Sequence, residues 1–406
     1  MAYHITSSSA SSQPSFLSFS SSSSSPSLST LFPSDFDSND FDLSSFALHQ
    51  YMLALLTSPL TVVETLSEVQ LQKRTDQESD PDIETLRTEG AIQQIDPMQG
   101  GVWDNVRLIV RSENEGLSSL LKGSFTTFLY NASYTFLQPA LEEVFNDYLD
   151  VYDDNNPATL ALSHVVVGGL LSPLELIRTR LIVQSTTPRR SYFGPVDAVW
   201  TIKEEGGSIG SLYAARLVLP SILIRTASPL LRLVSAHLIT EELHLDPGFN
   251  PLLYRLAVLG FMAIEVALLT PIEIARKRLQ VQRLSYASQS VRSLAEGEVP
   301  QAFDTCVEVA SAPYAGILSA IWSIVNEEGG KQRRRPKKNA RRGIVDDGND
   351  DDDELEKILS TKKRGGNSSI QKLWLGLKTL YRGYWARYAA NVVVYIFEDI
   401  GRGDEW

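Results

Sequence analysis

Apolar runs and charged segments alternate along the chain, and six apolar runs approach the length of a membrane-crossing helix. They lie at residues 43–63, 123–141, 157–174, 217–231, 251–272 and 384–400. An α-helix needs about 20 apolar residues to cross the hydrocarbon core of a bilayer, so each run predicts a span. The sixth is the weakest, because its uninterrupted apolar part covers only residues 389–397. The pattern therefore predicts an all-α membrane protein.

A short motif closes every second apolar run. In residues 172–184 (SPLELIRTRLIVQ) and 270–282 (TPIEIARKRLQVQ), a proline is followed by one acid and two bases at the same spacing. These residues are Pro173, Glu175, Arg178 and Arg180 in one copy, and Pro271, Glu273, Arg276 and Arg278 in the other. A degenerate copy at residues 58–72 keeps Pro59 but has Thr61 at the acid position and Glu64 at the first base position. A unit that returns after roughly a hundred residues indicates a repeat of more than one helix.

A second motif follows each proline motif. Glu115-Gly116 precedes Leu121-Lys122-Gly123, Gly376 precedes Tyr381-Arg382-Gly383, and Glu205-Gly206 precedes the looser Tyr213-Ala214-Ala215. The recurring pair of motifs resembles that of the mitochondrial carrier (solute carrier) family over roughly residues 43–402. The resemblance implies the mitochondrial carrier fold, in which three repeats of two transmembrane helices surround a pseudo-threefold axis.

The repeats divide the chain into a tail and three units. We expect a disordered Ser-rich tail at residues 1–40, a degenerate repeat 1 at 41–150, repeat 2 at 157–246 and repeat 3 at 250–406. Repeat 3 carries an insertion at 331–366, in which basic, acidic and basic blocks follow one another. Such blocks are typical of solvated, disordered chain, and a docking site for a partner or for anionic lipid is the alternative.

The proline motifs predict a ring of ion pairs. Three helices that each end in an acid and a base can close a ring if each acid pairs with the base of the next repeat, and such pairs are stronger away from water. In the carriers that the chain resembles, opening and closing this ring gates a central cavity. The alternative is that Glu175, Arg178, Glu273 and Arg276 form only structural pairs at helix ends. Repeat 1 offers neither the acid nor the base, so we expect that three such pairs cannot form.

The resemblance also places candidate residues in a central cavity. The solute-contact positions fall at Tyr130, Ile222, Leu223 and Ala390, and their uncharged side chains do not favour nucleotides or carboxylates as solutes. Arg225 and Glu265 lie within predicted spans, where a charge costs at least about 2.5–3.5 kcal/mol. They should therefore face the protein interior, with Arg225–Glu265 as one candidate pair.

Composition narrows the functional classes. The 406 residues are 43% hydrophobic and carry a net charge of −12, which argues against a nucleic-acid partner. The mean hydropathy of −0.10 is low for a multi-pass protein, because polar segments dilute the spans. One cysteine, Cys306, cannot form an intramolecular disulfide. No Lys or Arg precedes Lys73, so we do not expect the Ser-rich tail to act as a basic presequence. The sequence contains no nucleotide-binding, metalloprotease or hydrolase motif, so we expect no enzyme activity, cofactor or metal.

Two main functions are consistent with these features. The chain resembles the fungal Ugo-type branch of carrier-like proteins in four features. These are the degenerate first motif, the acidic net charge, the Ser-rich tail and the charged insertion. That resemblance implies a scaffold in the mitochondrial outer membrane that links dynamin-related fusion GTPases, without solute transport. A homodimer is also compatible with it. The alternative is an inner-membrane metabolite transporter, which the two intact motifs favour. A third hypothesis, lipid handling, has no specific residue in its support.

Overall fold

The computed structural model describes residues 43–72, 94–112, 115–150, 156–186, 192–206, 208–245, 248–282, 305–310, 314–328 and 369–401. The predicted tail at 1–40 and the charged insertion at 331–366 lie outside these residues. Across the described part of the chain, every named element is helical and the only β-type pairing is one isolated bridge, between Gln184 and Thr305.

Six long helices and four shorter ones make up the fold. The long helices are α1 (Leu43–Val69), α3 (Ser124–Leu149), α4 (Pro157–Val183), α6 (Ala215–His237), α7 (Pro251–Val281) and α10 (Tyr384–Gly401). The short helices are α2 (Val102–Arg111), α5 (Pro195–Gly206), α8 (Ile317–Glu327) and α9 (Ser369–Thr379). Two 3₁₀ turns, Leu117–Leu121 and Ile209–Tyr213, precede α3 and α6, and a π-helical turn, Leu238–Glu242, extends α6.

The long helices form a closed barrel. Each packs against the next in the order α1, α3, α4, α6, α7, α10, and α10 packs back against α1. Two glycines allow α4 and α6 to approach each other closely. A Cβ on Gly168 would lie 3.3 Å from the Cα atom of Ile222, and a Cβ on Gly169 would lie 3.6 Å from the Ile222 side chain. Small residues are typical of such close contacts between membrane helices.

The three proline helices α1, α4 and α7 also contact one another at the end of the barrel. The second base of each intact motif joins the end of the next proline helix. Arg180 donates to the carbonyl oxygens of Gln280 and Gln282 at 3.1 and 2.9 Å, and Arg278 donates to the carbonyl of Glu68 at 3.0 Å. These bonds satisfy carbonyls that have no partner within their own helix. The repeats are therefore joined head to tail at one end of the barrel.

The helices are longer than the apolar runs that predict them. The run at 157–174 stops at the motif, whereas α4 continues through Pro173 to Val183, because the neighbouring proline helices bury its charged end. Four of the described helices, α1, α4, α6 with its π turn and α7, are long and apolar enough to cross a membrane. The predicted all-α membrane class is confirmed.

Candidate functional site

Charged side chains from five helices converge where the proline helices meet. One buried pair joins repeats 2 and 3: Arg276 of α7 forms an ion pair with Glu175 of α4, and the two side chains are 8% and 4% exposed. Glu175 also accepts from Nε of Arg225 on α6 at 2.8 Å. Glu175 thus pairs with the base of the next repeat, as the motif spacing predicts. One carboxylate holds two guanidinium groups from different repeats.

Glu273, the acid of repeat 3, has two cationic partners. Arg276 of its own helix lies 2.6 Å away, and Arg387 of α10 forms a second ion pair with it. The motif spacing predicts a base of repeat 1 as the partner of Glu273, but that position holds Glu64. Arg387 replaces it, because α10 packs against both α1 and α7. The motifs do not identify Arg387, because it lies in the sixth apolar run outside either motif.

At the first base position of repeat 1 the charges are reversed: an acid, Glu64, stands there and pairs with a lysine of repeat 3. Nζ of Lys277 on α7 lies 2.6 Å from Oε1 of Glu64 and 2.8 Å from Oε2 of Glu68. All three side chains are at most 9% exposed. As expected, the motif residues of the described chain do not form three such pairs: Glu175–Arg276 is the one acid-to-next-base pair among them. The partner of Glu64 is instead Lys277, which lies between the two bases Arg276 and Arg278, at a position that the motif does not define.

Arg178 is the exception among the cations at this end. In the described chain it forms no ion pair or hydrogen bond, although Glu64 and Glu175 are near enough to act on it electrostatically. The residue at the matching acid position, Thr61, uses its hydroxyl group to bind the Ser58 carbonyl of its own helix at 3.0 Å. We call the five cations and four carboxylates the charge cluster: Arg178, Arg225, Arg276, Lys277, Arg387, Glu64, Glu68, Glu175 and Glu273.

An aromatic layer adjoins the charge cluster. The Arg225 guanidinium lies 4.6 Å from the ring centroid of Tyr130 and 5.8 Å from that of Tyr134. The Tyr134 hydroxyl is 2.9 Å from Nδ1 of His164. Tyr130 is 2% exposed, and its hydroxyl has no hydrogen-bond partner in the described structure. Two predicted cavity residues, Tyr130 and Arg225, therefore lie together, as an Arg–aromatic stack that can engage a polar solute.

The predicted Arg225–Glu265 pair is wrong. Arg225 binds Glu175, and Glu265 of α7 binds Nε of Arg232 at 3.1 Å and the hydroxyl group of Ser228 at 2.5 Å. The reason is position along α6: Arg225 lies level with the charge cluster, whereas Arg232 lies two turns nearer the other end of the barrel. The sequence contains both arginines, but spacing alone does not decide which faces Glu265.

The remaining candidates contribute apolar surface. Ile222 packs against Gly169, Leu223 is exposed, and Ala390 is buried on α10. A shallow groove between α6 and α7 contains the Arg232–Glu265 pair, and most of its other lining residues are apolar. These other residues are Ser235, Ala236, Ile239, Tyr254, Val258, Phe261 and Met262.

A short extended segment, residues 305–309, crosses the closed end of the barrel. Cys306 donates from its backbone nitrogen to the Val183 carbonyl at 2.9 Å and accepts from Ile95 at 2.8 Å. Leu71, just after α1, donates to the Glu308 carbonyl at 2.8 Å. Val307 is fully buried among side chains of α1 and α4. We call residues 305–309 the crossing segment; it ties the end of α1 to the end of α4. The hydrophobic pattern of the sequence does not predict the crossing segment.

Cys306 lies within this segment and is 2% exposed. Burial in apolar surroundings disfavours the thiolate and raises the pKa of the Cys306 thiol to about 12. The thiol is therefore neutral and shielded at physiological pH. It is also the one cysteine of the chain, which makes it a native reporter of this end of the barrel.

The second motif differs between the repeats. In repeat 1, Glu115 forms an ion pair with Lys122 and accepts from the backbone nitrogen of Thr186 at 3.1 Å. In repeat 3, Leu375 occupies the acid position before Gly376. Glu328, at the end of α8, provides the acid instead and forms an ion pair with Arg278. The insertion thus separates the acid of repeat 3 from the rest of its motif.

Comparison with known proteins gives one informative relative. No protein-family model matches the sequence. The mitochondrial basic amino acids transporter of Bos taurus is 24% identical over 216 residues, which cover 50% of this chain and 68% of that protein. This similarity supports the mitochondrial carrier family and a multi-pass location in a mitochondrial membrane. The sequence similarity and the helical barrel both agree with the predicted all-α carrier fold.

Proposed function

We propose that this protein is a carrier-fold transporter that moves a small polar solute across a mitochondrial membrane, with the charge cluster as the gate at one end of its cavity. The observation that carries the proposal is the Arg276–Glu175 pair, which joins two repeats where the proline helices meet. Because each partner belongs to a different repeat, separating the repeats must break it. Alternating access between repeated units needs such a contact.

The aromatic layer and the polar pair in the groove supply groups that can contact a solute. Arg225 stacks on Tyr130, and Glu265 lies opposite Arg232. The bovine relative is named as a transporter of basic amino acids. We propose amino acids as the first substrate class to assay, and the inner membrane as the location to test first.

Exchange in proteoliposomes tests the proposal. Purified full-length protein is assayed with a panel of labelled amino acids, carboxylates and nucleotides against empty vesicles. Glu175→Gln removes the carboxylate that holds two guanidinium groups, so it should change the exchange rate about tenfold or more. The exposed Glu204→Gln is the matched control and should behave like the unmodified protein. If no solute exchanges above the empty-vesicle level, the transport proposal fails.

A second candidate function is a scaffold in the outer membrane that links dynamin-related fusion GTPases, as a monomer or a homodimer. Two observations favour it. The crossing segment ties α1 to α4, and repeat 1 lacks its own acid and base. The tie between α1 and α4 opposes repeated opening of this end, and the missing acid and base depart from the ring of pairs that gates the carriers the chain resembles.

Deleting the gene and following the mixing of mitochondrial contents tests the scaffold. Loss of mixing that is fully restored by the Glu175→Gln variant, despite its altered exchange rate, would favour the scaffold over the transporter. Normal mixing would exclude it. Protease treatment of intact mitochondria separates the two locations, since an outer-membrane protein exposes its tail or its insertion to added protease.

A further inference from the structure

Among the described residues, Arg178 has no counterion of its own, whereas the other cations of the charge cluster are paired. Each of Arg225, Arg276, Lys277 and Arg387 forms at least one ion pair. The two carboxylates near Arg178 are Glu64 and Glu175. Glu64 is already paired with Lys277, and Glu175 is already paired with the guanidinium groups of two arginines. The cluster therefore holds five cations and four carboxylates.

The missing carboxylate can be assigned to a position. The acid of repeat 2, Glu175, pairs with Arg276, the base of repeat 3. By the threefold relation of the repeats, the acid position of repeat 1 faces the base of repeat 2. These residues are Thr61 and Arg178. Thr61 carries no charge and bonds within its own helix, so Arg178 lacks the counterion that its counterpart has.

Arg178 is also more accessible than most of the cluster. Glu175, Glu273, Arg276 and Lys277 are buried, whereas Arg178 is partly exposed. A partly buried charge without a partner is unfavourable, and an anion that reaches it recovers Coulombic energy. A guanidinium group presents its donors as a planar fork that matches the two oxygens of a carboxylate.

We propose that Arg178 binds the carboxylate group of a small solute, which takes the place of the acid that Thr61 does not provide. The inference rests on the proposed transport function for its biological role, but the binding is testable without transport. One unpaired cation calls for a single negative charge, which favours a monocarboxylate over a multiply charged phosphate. The uncharged contact positions Ile222, Leu223 and Ala390 do not exclude carboxylates, because the anchoring charge comes from a proline helix.

Thermal unfolding of the full-length protein in detergent tests this binding. The probes are propionate, its uncharged isostere propionamide, inorganic phosphate and chloride, at equal ionic strength. Propionate should raise the melting temperature by about 2 °C or more once its concentration exceeds the dissociation constant several-fold. Propionamide should give no shift.

Four variants locate the site. Arg178→Ala should weaken propionate binding about tenfold or more, because it removes a charge-assisted hydrogen bond. Arg178→Lys keeps the charge without the fork and should bind with intermediate affinity. Thr61→Glu supplies an internal carboxylate and should abolish the propionate shift while raising the melting temperature without ligand. Thr61→Gln has the same size without the charge and should keep the shift.

Three results would overturn the inference. One is an unchanged propionate shift in Arg178→Ala or in Thr61→Glu. Another is an equal, Arg178-dependent shift with phosphate or chloride, which would make the site an adventitious ion site only. The third is no propionate shift in the unmodified protein. Exchange that is insensitive to Arg178→Ala would leave transport standing without this site, whereas Arg178-dependent binding without exchange would leave the site standing without transport.

Discussion

Lys277 of α7 lies 2.6 Å from Glu64 of α1, so a lysine outside the repeat motif pairs with a glutamate that stands where the motif expects a base. The same ammonium group lies 2.8 Å from Glu68, whose two oxygens have no hydrogen-bond partner in the described structure. A single lysine therefore balances two buried carboxylates. The corner between repeats 1 and 3 depends on it.

Lys277→Met should destabilise the protein strongly. The substitution leaves Glu64 and Glu68 buried without a cation, and breaking a buried pair in this way costs about 3–5 kcal/mol. Thermal or denaturant unfolding in detergent measures the loss. Lys378→Met, on the exposed face of α9, is the control and should lie within about 0.5 kcal/mol of the unmodified protein. A triple variant that adds Glu64→Gln and Glu68→Gln should recover much of the stability; if it does not, the ion pairs are not the cause.

Much of the barrel is predictable from the sequence, because apolar runs and repeated motifs are local signals. The proline motif predicts Glu175–Arg276, since both residues occupy defined motif positions. It does not predict Lys277–Glu64, because Lys277 lies off the motif and Glu64 stands at a motif position that expects a base. Arg387 and the choice of Arg232 as the partner of Glu265 depend on how the helices are rotated, which spacing does not fix.

The crossing segment could not be predicted for a different reason. Residues 305–309 carry no helical or strand period, and their place is set by backbone hydrogen bonds to the ends of α1 and α4. Any short stretch with small or apolar side chains can make such bonds. Its position follows only from the folded barrel.

Labelling of Cys306 should report whether the closed end of the barrel opens. A maleimide needs an accessible thiolate, and the Cys306 thiol is both buried and neutral at pH 7. In the unmodified protein we expect labelling to be slower than in unfolded protein by a factor on the order of 10³ or more. Glu175→Gln loosens the contact between α4 and α7 and should accelerate it, whereas the exposed Glu204→Gln should not. Equal rates in both variants would mean that the charge cluster does not hold this end closed.

The same thiol predicts a loss of stability at alkaline pH. Burial raises the pKa of Cys306 to about 12, while an unfolded cysteine ionises near 8.5. Folding therefore favours the neutral thiol. This contribution is fully present below about pH 8.5 and is lost as the pH rises toward about 12, by up to 1.4 kcal/mol per pH unit. The unfolding free energy of Cys306→Ala should fall less steeply above pH 8.5. Parallel curves would contradict the buried position of the thiol.

Gly376→Ala should separate α8 from α9 and lower stability. A Cβ atom at position 376 would overlap the carbonyl oxygen of Val325, which belongs to backbone and cannot rotate away. Forcing the two helices apart should cost about 1–3 kcal/mol, measured by thermal unfolding in detergent. Gly260→Ala is the matched control, because a Cβ there meets nothing within 4 Å and alanine has the higher helix propensity. Glu328, the partner of Arg278, directly follows α8, so the Gly376 variant should also weaken that ion pair. Combining Gly376→Ala with Glu328→Gln should therefore cost less than the sum of the two single changes. Strict additivity would show that the packing of α9 on α8 does not position Glu328.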